Sequence, residues 1–227
     1  ATMTGVLLPW QIWEIVLDRF PATRCFFAGS CEMFAPEEHA QDESAPRAPT
    51  SPYGEAKQQL AEHVKGLRKE YGLYAVTGIL FNHESPRRGD GFVTKKIAAA
   101  AARIARGEGQ KLVLGNLEVR RDWGFAGDYV KAMWSMLLQT EPEDLVIGTG
   151  VAHSVAEFCE VAFKHVGLNW REHVVSDPSL FRPTDAPLRL ANPARAKARL
   201  GWSPEVDFER LVAMMVDHEM GDGRREI

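Results

Sequence analysis

Tyr53 and Lys57 stand four residues apart in Ser51-Pro52-Tyr53-Gly54-Glu55-Ala56-Lys57, and such a pair can move a proton. Pro52 suits the first turn of a helix, where its missing N–H costs nothing. Positions i and i+4 of that helix share a face, one turn apart. An ammonium beside a phenol favours the phenolate. Lys57 is therefore expected to bring Tyr53 down from its ordinary value of about 10, toward a base that works near neutral pH. Upstream, Cys25-Phe26-Phe27-Ala28-Gly29-Ser30-Cys31-Glu32 sets a hydroxyl and a carboxylate two residues apart. A partly desolvated carboxylate can act first as base and then as acid. Cys31, between them, reads as a small buried filler and not as a nucleophile.

These groups need a scaffold. Apolar residues followed by small ones make residues 24–29 a buried strand that runs out into a loop. Ser30 and Glu32 then lie at the carboxyl end of that strand, where open α/β sheets place their chemistry. The Tyr53 helix is expected to run to residue 72. Residues 73–81, continuous and apolar, read as a buried parallel strand. Ahead of them, residues 4–19 are apolar nearly all round, which predicts a helix buried on more than one side. Prolines make residues 35–51 a loop. Further on, the pattern predicts a polar loop over 82–90 and a helix over 92–104 with Phe92, Ile97 and Ile104 on one side. It then predicts a strand over 111–114, a helix within 123–139 and a strand over 145–148. Ser154 and Glu157 form a capping box for the next helix. Residues 171–190 read as irregular. Asn192 caps a short helix, Phe208–Met220 is the last one, and 221–227 is a frayed polar tail. Strands alternating with helices indicate an α/β fold with a parallel sheet.

A strand, Ser-x-Glu, a loop and Tyr-x-x-x-Lys on a helix together resemble the extended short-chain dehydrogenase/reductase family. Three further stretches are similar, more specifically, to the GDP-mannose 4,6-dehydratase family. They are Gly78-Ile79-Leu80-Phe81-Asn82-His83-Glu84-Ser85-Pro86-Arg87-Arg88-Gly89, Leu114-Gly115-Asn116-Leu117 followed by Arg120-Arg121-Asp122-Trp123-Gly124, and Phe181-Arg182-Pro183-Thr184-Asp185. The likeness covers nearly all of residues 23–220. It implies an incomplete Rossmann-like parallel sheet with helices, plus a smaller mixed α/β substrate-binding lobe. The nucleotide-binding lobe would hold residues 1–83 and 123–150, and the substrate lobe 84–122 and 151–227.

The implied reaction is dehydration of GDP-D-mannose to GDP-4-keto-6-deoxy-D-mannose, with transient NADP-dependent oxidation at C4. By the resemblance, Tyr53 takes the C4 hydroxyl proton and Ser30, where relatives often carry Thr, holds the C4 oxygen. Glu32 removes the C5 proton and supplies one to the departing C6 hydroxyl. Lys57 also bonds the nicotinamide ribose, and His83 and Arg88 belong to the cofactor side. Asn82 falls at the substrate diphosphate. Lys96, Asn116, Arg121, Arg182 and Asp185 match positions that hold GDP, Asp185 where relatives often carry Glu. An arginine fork suits a diphosphate because it bonds two oxygens. The helix over 4–19 is either a plain core helix or a subunit contact beside the Tyr53 helix. The resemblance implies a homodimer or homotetramer.

One departure stands out. Gly5 is isolated, and no Gly-x-Gly-x-x-Gly or Gly-x-x-Gly-x-x-Gly follows a first strand. The NADP site is therefore expected to be incomplete in this chain, and the sheet to lack its first strands and expose an edge. A truncated chain, a partial gene product or an ordered piece of a longer protein would account for this. A nucleotide-sugar reductase or epimerase would need Ser30, Tyr53 and Lys57 but no C5 base, so Glu32 favours dehydration. A non-catalytic remnant that binds a GDP-sugar is the other alternative. A net charge of −4 leaves no nucleic-acid footprint. Three scattered cysteines show no metal spacing and fit a reducing cytoplasm. No apolar run approaches the roughly 20 residues that span a bilayer, and no signal peptide is expected.

Overall fold

The computed structural model describes residues 8–181 and 186–221. In chain order the first elements are α1 (Leu8–Arg19), β1 (Cys25–Ala28), a 3-10 turn at Cys31–Met33, α2 (Pro52–Tyr71) and β2 (Ala75–Leu80). There follow β3 (Asn82–Glu84), α3 (Val93–Ala105), β4 (Leu112–Leu114), β5 (Arg120–Arg121), β6 (Trp123–Phe125), α4 (Ala126–Leu138) and β7 (Leu145–Ile147). The rest are β8 (His153–Ser154), α5 (Val155–His165), β9 (Val174–Ser176), β10 (Leu188–Arg189), α6 (Ala194–Leu200) and α7 (Phe208–Met220).

All six residues of β2 are buried, as a run without polar alternation requires when both faces of a parallel strand are covered. It lies between β1 and β7 in a parallel sheet of order β1-β2-β7. Cys25 pairs with Ala75, and Gly78 with Leu145. The Phe26 ring lies across Gly78, where an added Cβ would stand 2.5 Å from it. On one face, Leu60, Val64 and Leu67 of α2 pack with Trp13, Leu73 and Ala75. On the other, Tyr129, Ala132 and Met136 of α4 pack with Val76, Leu80, Leu145 and Ile147. Asp144 ties the layers together: it accepts both Nη atoms of Arg68, at 2.5 and 2.7 Å, and the Thr77 N–H at 2.6 Å. The far side of β7 is met by a side chain, the Glu43 carboxylate, which accepts the Val146 N–H at 2.7 Å.

A second core forms where α3, α5 and α7 pack together with Trp123, Phe158 and Phe208. Short strands border it. β3 pairs with β6 and β4 with β9, both parallel, and β10-β5-β8 is a mixed sheet. The α5 capping box is present, with Glu157 N donating to Ser154 Oγ at 3.0 Å and Ser154 N to Glu157 Oε2 at 2.8 Å. The expected Asn192 cap lies one residue early: Pro193 holds the N-cap position of α6, and the Asn192 side chain accepts Ala194 N from just before it, at 3.3 Å.

Four further expectations need correction. Residues 82–84 are a strand, because each pairs with a residue of 123–125, and only 85–92 is loop. Residues 171–190 are not irregular throughout, since β9 and β10 are recruited by β4 and β5. Phe92 leaves the Ile97 face and is exposed beneath the Arg88 guanidinium, 3.4 Å from the ring centroid. Within this single chain α1 is buried through Trp13, which stacks on Phe27 at 4.1 Å, whereas Ile12 and Ile15 are about half exposed. No described helix is long and apolar enough to cross a membrane.

Candidate active site

β1 ends at Ala28, and the chain turns at once. Gly29 N donates to Gly78 O at 2.8 Å, which holds the turn against β2. Ser30, buried and extended, caps the 3-10 turn by accepting the Glu32 N–H at 3.2 Å. The carboxylate is therefore placed by backbone geometry just beyond the strand end. The start of α2 is pressed onto the same turn. Ser51 caps it, accepting Gly54 N at 3.1 Å, and Pro52 fills the first turn. At Gly54 an added Cβ would lie 2.3 Å from Glu32 O, so only glycine permits this approach. Gly54→Ala is expected to cost about 1–3 kcal/mol through overpacking and to displace Glu32. A melting curve and turnover measured together check this, and an unshifted melting point would contradict the contact.

Ser30, Glu32 and Tyr53 thus share one locale. The Tyr53 hydroxyl lies close enough to the Ser30 hydroxyl to feel it, and it senses the charges of Glu32 and Arg88. The expected action of Lys57 on Tyr53 is not found. Burial pushes the phenol up from its ordinary value, and the opposing influences come from the Ser30 hydroxyl and Arg88. Lys57 is committed elsewhere: its Nζ donates to Ala28 O at 2.8 Å and lies 5.6 Å from the Tyr53 ring centroid. Burial brings Lys57 itself down from its usual range. Cys31 is buried and pushed up to about 12, chiefly by burial, as suits an inert filler.

The remaining residues singled out by sequence divide. Arg88 leans on this site. Its Nε lies 3.0 Å from the buried Glu84 carboxylate, and its charge reaches both Tyr53 and His83. His83 Nδ1 meets Phe81 O at 2.9 Å and its ring stacks on Tyr129 at 4.9 Å. Burial, first, and Arg88 lower its pKa, while the Phe81 carbonyl pulls the other way. Asn82 keeps a buried Oδ1 with no hydrogen-bond partner among the described residues. Arg121 donates to Ala186 O at 2.8 Å and its charge reaches Cys31, so it borders the site. Lys96 is exposed on α3, and Asn116 is exposed with its Oδ1 closing a turn onto Glu118 N at 2.9 Å. No contact among the described residues joins Lys96 or Asn116 to Tyr53 or Glu32. Arg182 and Asp185 lie outside the described residues.

Two groups escaped the sequence reading. Glu84 is 2% exposed, accepts Thr94 Oγ1 at 2.9 Å, and is raised to about 7. Burial is the main cause; Arg88 and Thr94 pull the other way. The folded chain therefore holds this proton more tightly than the unfolded chain, whose carboxyl titrates at 4.5. The stability this proton confers is complete below 4.5 and is lost as pH rises through about 7. Glu84→Gln is expected to flatten the dependence of stability on pH across that window, by urea titration at a series of pH values. An equally steep dependence in the variant would rule Glu84 out as its source.

The second is Arg189 of β10, 1% exposed, whose Nη2 lies 3.5 Å from Glu32 Oε2. Its Nη1 donates to Phe34 O at 3.1 Å and Ala35 O at 3.3 Å. A cation inside the apolar run Leu188-Arg189-Leu190-Ala191 is the signal that could have found it.

Comparison with known proteins places this geometry in context. The profile of the family described as GDP-mannose 4,6 dehydratase matches residues 9–215. The GDP-mannose 4,6 dehydratase 1 of Arabidopsis thaliana is 49% identical over 210 residues, covering 92% of this chain and 58% of its own length. The GDP-mannose 4,6 dehydratase of Homo sapiens is 43% identical over 213 residues, covering 86% and 57%. The chain thus spans little more than half the length of these curated relatives. Among solved structures, RMD from Pseudomonas aeruginosa complexed with NADPH superposes with a TM-score of 0.88 at 18% identity, covering 96% of this chain and 73% of that one. A dTDP-glucose 4,6-dehydratase from Bacillus anthracis in complex with NAD gives 0.84 at 20% identity, with 97% and 69% covered. At such identities the likeness speaks to the fold, an α/β sheet of the Rossmann type.

Proposed function

Because the chain belongs to the GDP-mannose 4,6-dehydratase family, we propose that it serves the dehydration of GDP-mannose to its 4-keto-6-deoxy derivative, with NADP as cofactor. The observation that carries this reading is the meeting of Ser30, Glu32 and Tyr53 at the carboxyl end of β1. The nicotinamide end of a dinucleotide fits the residues present. Tyr53, Lys57, His83 and Arg88 would hold it, Arg88 lying within electrostatic reach of both Tyr53 and His83, while Asn82 would meet the substrate diphosphate through its side-chain amide N–H groups. When bound, the oxidised dinucleotide takes up and returns a hydride and adds a positive charge to the site.

The chain's own groups do the rest. Ser30 and Tyr53 bond the C4 oxygen of the sugar, and Tyr53 carries its proton. The C4 ketone acidifies the C5–H bond. The Glu32 carboxylate takes the C5 proton and the C–H electron pair becomes the C5=C6 double bond. The C6 hydroxyl leaves with a proton from Glu32, as water; with the hydride returned to C6, C5 regains a proton from solvent, and the 4-keto-6-deoxy sugar is complete. One group serving as base and then acid needs no second carboxylate. Arg121 borders the same turn and would face phosphate, with Lys96, Asn116, Arg182 and Asp185 further along the nucleotide. Residues 1–83 and 123–150 would form the nucleotide lobe, and 84–122 with 151–227 the sugar lobe. The exposed Ile12 and Ile15 of α1 support a homodimer or homotetramer, and three free cysteines support a cytoplasmic setting.

The test supplies the protein with GDP-mannose and NADP and follows the product by NMR. A 4-keto-6-deoxy sugar is expected. GDP binding without any such product would replace this reading with the non-catalytic one.

A further inference from the structure

We propose that Arg189 is the positioning residue for the Glu32 carboxylate, an inference that rests on Glu32 being the C5 base of the reading above. Arg189 is buried, and a guanidinium loses its hydration there. At this position in β10, between Leu188 and Leu190, an apolar side chain would be the simpler occupant. Its contacts say what the charge is for. Nη1 is fixed by the Phe34 and Ala35 carbonyls, which directly follow the 3-10 turn that carries Glu32. This anchoring leaves Nη2 facing Glu32 Oε2 at 3.5 Å. That is longer than the charge-assisted N–O hydrogen bond of about 2.7–2.9 Å. The pair is therefore an electrostatic tether and not a two-pronged clamp. It aims the carboxylate while leaving its lone pairs free to accept the C5 proton.

The frame behind Arg189 is stiff. Its backbone O accepts Asp122 N at 2.8 Å, and it pairs with Arg121 in the β10–β5 ladder. Gln41 completes the enclosure: its backbone bonds Leu190 O and Asn192 N, and its side chain donates to Ala35 O at 2.8 Å. Glu32 is thus held from two directions, by the turn after β1 and by a strand more than 150 residues further along.

The test compares wild type, Arg189→Met, Arg189→Lys and Glu32→Gln in the full chain, with GDP-mannose and with C5-deuterated GDP-mannose. Arg189→Met is expected to lower kcat by about 10²-fold, the cost of misplacing a reacting group by about 1 Å. KM and calorimetric GDP binding should stay within about threefold. The C5 isotope effect on kcat should rise above that of wild type, because proton abstraction becomes the slow step. Arg189→Lys should restore part of the rate. A structural defect alone lowers the amount of working protein and leaves the isotope effect where it was. That outcome, or a kcat for Arg189→Met within about twofold of wild type, overturns the inference. If wild type turns over and Glu32→Gln does too, the base assignment fails, whatever Arg189 does. If wild type forms no product, both fall together.

Discussion

Glu32→Gln is expected to abolish loss of water from the sugar while leaving nucleotide binding intact. General acid–base catalysis is worth about 10²–10⁴ in rate, and Glu32 is asked to act twice in one turnover, so the fall should lie near the upper figure. Glutamine keeps the shape and the turn, because the Ser30 cap uses the backbone of residue 32 and not its side chain. The substitution also leaves the buried Arg189 without its carboxylate. Breaking a fully buried pair costs about 3–5 kcal/mol, but the Glu32 side chain is 36% exposed, so solvent screens much of this and the loss should be well below that range. Product formation, GDP binding by calorimetry and a melting curve separate these effects. Dehydration within about threefold of wild type would remove Glu32 from the mechanism.

The second large effect is on folding. Asp122→Ala should lower stability by about 3–5 kcal/mol, or roughly 10 °C in melting temperature for a chain of this size. Asp122 is 0% exposed. Its Oδ1 accepts Thr149 N at 2.8 Å and Thr149 Oγ1 at 2.7 Å; its Oδ2 accepts Gly150 N at 2.9 Å and Ala191 N at 3.2 Å. Burial pushes this acid upward, and those four donors are what draw it back down. Alanine removes the acceptors and strands three backbone N–H groups in the interior. Asp122→Asn, which retains one acceptor oxygen, should fall between alanine and wild type. A melting point for Asp122→Ala within about 2 °C of wild type would show that water or another group replaces the carboxylate. Ala191 follows Arg189 closely, so the alanine variant should lose turnover as well.

Helix signals carried the most information. Pro52 and the spacing of Tyr53 and Lys57 fix α2 locally, and the structure begins and ends it at Pro52 and Tyr71. Ser154 and Glu157 announce α5 in the same local way. The strand before Ser30 was legible because a short apolar run ended in small residues. Strands of two or three residues, such as β3 and β10, have no period to detect. They exist because a distant partner pairs with them. The electrostatics of Tyr53 depart from its helical spacing for a related reason. Helical spacing places Lys57 near the phenol, but the Ala28 carbonyl that takes the ammonium comes from another element. Arg189 lies beside Glu32 only after β10 has joined β5. The apolar surround of α1 was plain in the sequence, yet a single chain covers Trp13 and leaves Ile12 and Ile15 to solvent.

Glu43 illustrates how the long loop over 35–51 earns its length. Its carboxylate occupies, at Val146 N, the place where the next strand of a wider sheet would dock. A carboxylate there is a stopper: it accepts one amide and offers no donor in return, so it cannot be extended residue by residue as a backbone can. Shortening the loop or swapping it for a flexible linker would uncork that rim. The same chain should then pair edge to edge with its neighbours in concentrated solution.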